Sequence, residues 1–258
     1  MTVTVEAVEQ LLFEAYIAAP EARLRKEDRK KAQELAGLLD WIGRILPTGR
    51  KRSLHLIDAA AGKGYVGLGS AVFVLGQRNQ AVEIVAIERS AARLTQARAA
   101  FSSHAPRNIR FVTRAGELSD PLSWPSVRAD LVVALHACQS ASDDVAEQAI
   151  AHQARHVLIA PCCVSNNLPA AERAAQLADL LGFPNAAELR RPFVENLVLA
   201  DRVLRLAMGG YETKVVPFVA STVTPHNRLL VGRWVGDASA MQKARAQRQH
   251  LWAALAAR

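Results

Sequence analysis

The sequence predicts an α/β fold, a doubly wound sheet of seven strands preceded by a helical extension, on three observations. First, an apolar run at 54–57 ends in Asp58. The side chains then shrink to Ala59, Ala60, Ala61, Gly62 and Gly64, and apolar residues resume in helical order over 65–75. That is a strand, a tight turn and a helix start. Second, β-rich runs at 82–87, 108–113, 130–135 and 156–160 alternate with helix-forming stretches, the pattern of parallel strands joined by crossovers. Third, two last runs, 213–219 and 228–235, follow one another through a polar turn at 221–227. With 258 residues, half of them hydrophobic, the chain can bury one sizeable core and carry an extension. The expected division is a helical extension over 1–48 and the α/β domain over 49–258.

Residues 3–46 read as two helices that stand outside the core sheet. Val8, Leu11, Leu12 and Tyr16 mark an apolar stripe on the first, and Pro20 sits near the start of the second, where proline is tolerated. The second helix has two characters. Arg23, Arg25, Lys26, Arg29, Lys30 and Lys31 crowd its first half, whereas Leu35, Leu38, Leu39, Ile42 and Ile45 recur at i, i+3, i+4, i+7 in the rest. The apolar half is expected to pack and the basic half to be wet, with Glu27, Asp28 and Glu34 diluting its charge. Arg50, Lys51 and Arg52 follow the breaker Pro47-Thr48-Gly49, so the region has a composition that suits a phosphate backbone as well as a solvated face.

Later helices carry their own signals. Ser90 is placed to cap one over 90–101, Pro169 starts an alanine-rich one over 168–181, and 195–208 is a third that ends at Gly209-Gly210. From Asp237 a basic helix turns Met241, Leu251 and Leu255 toward the body.

The turn after the first strand admits competing chemistries. A phosphate-cradling P-loop needs Ser or Thr after its lysine, and Gly64 stands after Lys63. Gly62, Gly64 and Gly67 do spell the dinucleotide fingerprint G-x-G-x-x-G, and Glu88 follows at the distance of a ribose-binding acid. The same residues fit the S-adenosylmethionine turn D/E-x-G-x-G-x-G of class I methyltransferases, read as Asp58, Ala60, Gly62, Gly64 and then Glu88. Ala60 stands there in a usual glycine position, which a negative φ would accommodate.

The formal charge of +8 favours acidic partners such as nucleic acid, though it also serves solubility. No apolar run reaches membrane-spanning length, and acids interrupt the N-terminal stretch, so neither an anchor nor a secretion signal is expected. Three cysteines, two of them adjacent, suit a reducing cytoplasmic compartment better than a disulfide framework.

The fourth strand runs into His136-Ala137-Cys138-Gln139-Ser140-Ala141-Ser142-Asp143-Asp144, and the fifth into Pro161-Cys162-Cys163. Taken in order, AGKG-Y, LHAC-x-S-A-S-D and PCC resemble the methyltransferase-domain family that includes the eukaryotic methyltransferase-like and glutathione S-transferase C-terminal-domain-containing proteins. The likeness covers 53–163 and extends more remotely to tRNA 2′-O-methyltransferases. It departs at Ala60 and at Gln139, where the family pattern has glycine. It implies a Rossmann-like methyltransferase sheet with an antiparallel last strand, S-adenosylmethionine as cofactor, and methyl transfer. With the basic excess, RNA, and tRNA in particular, is the candidate acceptor.

In such a sheet the first and fourth strands are neighbours, so Asp58, Ala60, Gly62, Gly64, Glu88 and His136 are expected to converge on the cofactor. Ala115 occupies the position where many methyltransferases keep an adenine-binding acid, leaving Glu117 or the main chain near Gly116 to read the base. His136 or Asp143 is the candidate catalytic base; a strand-end histidine bonded to backbone is the alternative for His136. His136, Cys138, Cys162 and Cys163 invite a zinc reading. The absent C-x2-C spacing and the vicinal pair favour instead no metal, with small thiols shaping the pocket. The turn Thr224-Pro225-His226-Asn227 would lie on the ligand edge. A nicotinamide-dependent oxidoreductase, which continues with parallel units, and a cofactor- or RNA-binding module without turnover are the alternatives.

Overall fold

A computed structural model describes residues 3–17, 23–46, 52–78, 80–165 and 167–256. Its strands are β1 Leu54–Ala59, β2 Val82–Glu88, β3 Ile109–Ala115, β4 Leu131–Leu135, β5 His156–Ala160, β6 Tyr211–Pro217 and β7 Arg228–Trp234. They form one seven-stranded sheet in the order β3-β2-β1-β4-β5-β7-β6. The first five are parallel, and β7 lies antiparallel between β5 and β6, as the expected methyltransferase sheet requires. β1 pairs with β2 on one side and β4 on the other, with Asp58 opposite Val133. Connections leave this point in opposite directions and open a crevice over the strand ends.

Eight α-helices are described: α1 Val5–Tyr16, α2 Lys26–Ile45, α3 Tyr65–Gly69, α4 Ala91–His104, α5 Ala141–Ala151, α6 Pro169–Leu180, α7 Ala187–Met208 and α8 Ala238–Ala256. Strand alternation divides the core between the two sheet faces. Leu54 and Leu56 pack with Leu131, Val133 and residues of α1 to α4. Ile57 and Ala59 pack with Val132, Ala134 and the α5 residues Val145, Ala146 and Ala149.

The N-terminal helices are built into the main body. Leu35, Leu38, Leu39 and Ile42 of α2 are fully buried in the cluster that holds Leu54 and Leu56, each contributing about 1.5–3 kcal/mol of gross burial. The expected boundary at 48/49 therefore crosses a shared core. Thr4 caps α1 through the Ala7 N–H, and Asp40 Oδ1 accepts from the Val3 N–H at 3.0 Å. Pro20, Pro47, Thr48, Gly49, Arg50 and Lys51 lie outside the described residues.

Two features differ from expectation. Residues Ser70–Leu75 continue α3 as a π-helix, closed by the Gly76 N–H to the Ala71 carbonyl at 2.8 Å, a local widening often found near functional sites. Helix α7 begins at Ala187 and carries Pro192 within it, so the helix expected over 195–208 has two further turns. Helix α5 fills the stretch between the fourth and fifth strands, as the alternation of strands with helices requires. Among the described residues no helix is long and apolar enough to cross a membrane.

Candidate active site

The crevice over the strand ends is a hollow of about 360 Å³ whose wall includes Ala60, Glu88, Gly116, Glu117, His136 and Gln139. Four connections supply it: those after β1, β2, β3 and β4. The turn after β1 needs its glycines. Gly64 has φ +79°, and a Cβ there would stand 2.9 Å from the Ala97 Cβ. Gly62 lies at φ +56° with open space where a side chain would point.

Ala60 departs from expectation: its φ is +58°, in the left-handed region. The turn geometry is set by its neighbours, and alanine adopts it with strain. His136 at +61° and Gln139 at +58° do the same. Three of the four described non-glycine residues with positive φ thus line one hollow, the clustering expected where a site over-determines its backbone.

Glu88 holds the turn and faces the hollow. Its Oε2 accepts from the Gly62 N–H and its Oε1 from the Ser90 N–H, both at 3.0 Å, and Arg93 lies 3.8 Å away. A carboxylate offers about four lone-pair sites, so both oxygens retain capacity for ribose hydroxyls. Glu117 and the Gly116 main chain lie further along the same wall.

Asp58 is placed elsewhere. It shares the sheet face of Leu54 and Leu56, is 1% exposed, and accepts from the Gly67 N–H at 2.9 Å. Burial pushes its carboxyl up to about 7, the Gly67 N–H opposes this, and nearby Glu88 adds to it. Asp58 thus braces α3 from beneath the turn. Tyr16, at the end of α1, donates to the Lys63 carbonyl at 3.0 Å and fixes the other side of the same turn. Of the expected cofactor residues, Ala60, Glu88, Glu117 and His136 line the hollow, Gly62 and Gly64 shape its turn, and Asp58 lies behind it.

His136 prolongs β4, its N–H bonding the Ala160 carbonyl at 3.0 Å. Its imidazole Nε2 lies 2.9 Å from Glu34 Oε2, with the histidine side chain 40% exposed and the glutamate 3%. Glu34 belongs to α2 and was expected on a wet surface. Its place beside the apolar stripe of Leu35 and Leu38 is the signal that an acid there turns inward. Asp143 has a different partner. Arg202 of α7, 2% exposed, grips it with two bonds of 3.0 and 3.1 Å and also donates to the Gln139 carbonyl. This fixes the strained loop and engages both Asp143 oxygens, whereas the His136 side chain meets Glu34 and lines the hollow. Asp144 lines the hollow, and its carboxyl is raised by burial and then by Asp143.

Cys138 and Cys162 are joined in a disulfide between the ends of β4 and β5, and Cys163 is free. This corrects the expectation of separate thiols: adjacent parallel strands deliver the two side chains to one place. A second cavity of about 300 Å³ opens beyond β5, lined by Cys163, Arg191, Glu195, Asn196, His226 and Arg228. The Thr224–Asn227 turn reaches it through Pro225 and His226. Arg202 lines this cavity while bonding to the loop of the first.

The hollow fits an adenosyl ligand: an acceptor carboxylate at one strand end, main chain at the next, and a turn stripped of side chains. Comparison with known proteins identifies the family. The family model described as a methyltransferase domain matches residues 30–168, more than half of the chain. No curated protein matches in sequence. Among solved structures, Aeropyrum pernix fibrillarin with natively bound S-adenosyl-L-methionine is 13% identical, over 76% of this chain and 73% of that one, with a TM-score of 0.47. Magnesium protoporphyrin IX methyltransferase from Synechocystis PCC 6803 is 12% identical over 88% and 94%, with a TM-score of 0.48. The CurJ carbon methyltransferase is 15% identical with a TM-score of 0.48; the match covers 79% of this chain and 54% of that one, so the present chain spans about half the length of that structure. On the family match and the sheet that carries it, the chain belongs to the methyltransferase-domain family, as a Rossmann-like class I S-adenosylmethionine-dependent methyltransferase.

Proposed function

We propose that the protein methylates RNA, with tRNA as the acceptor class, in the cytoplasm. The observation that carries this reading is the distribution of cations about the two openings. Arg89 and Arg93 line the cofactor hollow, and Arg191 and Arg228 line the neighbouring cavity. Lys30 lies 3.9 Å from Glu34 on the helix that packs beside His136. A phosphate backbone laid across such an array gains affinity by releasing counterions, and single-stranded regions offer their reactive groups without unpairing.

When bound, S-adenosylmethionine supplies an electrophilic methyl group on a sulfonium, whose positive charge disperses during in-line transfer. The chain's own work is alignment and proton removal. Glu88 and the Gly116–Glu117 wall would hold the nucleoside, with the turn at Ala60–Gly64 beside it. A carboxylate can only accept, so Glu34 receives the Nε2–H of His136, leaving Nδ1 with its lone pair. Nδ1 is then the atom that takes a proton from the acceptor, with Glu34 beside the resulting imidazolium.

Transfer of labelled methyl from S-adenosylmethionine into fractionated cell extract tests this. Label in the RNA fraction, concentrated in tRNA, is the expected result; label confined to protein or small molecules rejects the RNA acceptor. RNA binding with steep salt dependence and no product would identify a binding module. A rise in melting temperature with NAD(H) but not with S-adenosylmethionine would restore the oxidoreductase.

A further inference from the structure

Cys138, Cys162 and Cys163 bring their sulfurs within 4.8 Å of one another. Nothing in methyl transfer as derived above uses them. Cys138 follows β4 and lines the cofactor hollow, whereas Cys163 follows β5 and lines the second cavity. The three sulfurs therefore sit in the partition between the two. Cys138 and Cys162 share a disulfide, and the Sγ of Cys163 stands 3.9 Å from that of Cys162.

The separation is informative. Thiolates about 2.3 Å from a tetrahedral zinc ion lie about 3.8 Å from one another along each edge of the tetrahedron. The vicinal pair, which in the sequence favoured no metal, already spans an edge of that length. Once its bond to Cys162 is cleaved, Cys138 need only turn its sulfur away to complete a triangular face. The strand ends that carry the cysteines are held by pairing of Leu135 with Ala160, so the ligands come from a rigid base.

We propose that, in its reduced form, this cluster is a three-thiolate site for a thiophilic divalent ion such as zinc, and that the Cys138–Cys162 disulfide is its oxidised, metal-free form. An external dithiol or phosphine supplies two electrons, the S–S bond breaks, and each sulfur takes up a proton. Metal binding then releases the protons of the three thiols to solvent. Three protein ligands leave the fourth position to water or to a ligand in either cavity. The inference stands apart from the identity of the methyl acceptor.

The test uses the full chain reduced with a phosphine under nitrogen, freed of reductant, and titrated with zinc or cobalt(II). One ion per chain is expected, with thiolate-to-cobalt charge-transfer absorption and the visible bands of tetrahedral cobalt. The oxidised protein should bind none, and Cys163→Ser should lose stoichiometric binding while its circular dichroism stays unchanged. If that variant does not fold, alkylating the free Cys163 of the oxidised wild type before reduction makes the same comparison. Reduced, folded protein that takes up no stoichiometric metal overturns the proposal, as does binding that survives loss or alkylation of Cys163.

Discussion

His136 Nε2 and Glu34 Oε2 stand 2.9 Å apart across 102 residues of sequence. A loop at the end of β4 and a helix before the sheet thus share one contact at the cofactor hollow. Glu34 is 3% exposed, so its charge acts with little screening. It positions the imidazole. Glu34→Gln is expected to lower kcat about tenfold or more, with little change in the KM for S-adenosylmethionine. His136→Ala should lose about 10²–10⁴ in kcat, the range of a general base. An unaltered kcat in His136→Ala would remove His136 from that role.

Glu88 combines support of the turn with a place on the hollow's wall. In Glu88→Gln one side-chain oxygen becomes a donor facing a backbone N–H, at Gly62 or at Ser90. Leaving such a donor unsatisfied costs about 1–3 kcal/mol. The variant should bind S-adenosylmethionine more weakly by tenfold or more in calorimetry and melt earlier. Unchanged affinity would mean that the cofactor lies elsewhere.

How much of this was legible in the sequence depends on the range of the forces involved. The seven strands follow from apolar runs, and the turn from its loss of side chains, because both are local. Glu88 is legible for the same reason: it ends a strand. Helix α5 is legible only as the crossover that alternation demands, not by its own periodicity, since its buried face is made of small residues such as Ala146 and Ala149. The first turns of α7 hide behind Pro192. Glu34, Arg202 and the Cys138–Cys162 pairing depend on partners brought close only by the sheet. Asp58 is instructive because strand alternation does place it with Leu54 and Leu56, on the face opposite Ile57.

Asp58 should leave a mark on the pH dependence of stability. Its carboxyl is raised from 3.8 to about 7 by burial, so between those values the folded chain holds a proton that the unfolded chain has released. Stability therefore falls as pH rises through that window and levels off above it. Asp58→Asn keeps an acceptor oxygen for Gly67 and removes the titration. Between about pH 5 and about pH 8 the wild-type melting temperature should fall relative to that of the variant; parallel curves would contradict the burial of an ionising group.

Arg202 and Asp143 form the clamp behind the Gln139 loop. Arg202→Met leaves a largely buried carboxylate without its partner, at an expected cost of about 3–5 kcal/mol. Adding Asp143→Leu should recover most of that loss, because an apolar pair of similar size replaces the ion pair. Urea denaturation of the two single variants and the double variant measures the coupling, and additive losses would show that the pair is not a unit.

Ala60 and Gln139 stand where the resembling family has glycine, and both have a positive φ. The left-handed conformation costs a residue with a Cβ roughly 1–2 kcal/mol, while glycine adds unfolded-state entropy that returns about half of the gain. Ala60→Gly and Gln139→Gly should therefore each raise stability by about 0.5–1 kcal/mol, or about 2 °C in Tm for a domain of this size. Gln139→Gly keeps the carbonyl that Arg202 binds, so the clamp is unaffected. The two sites lie on different connections, and their effects should add. A fall in Tm for either variant would mean that its side chain makes contacts in the hollow worth more than the strain it carries.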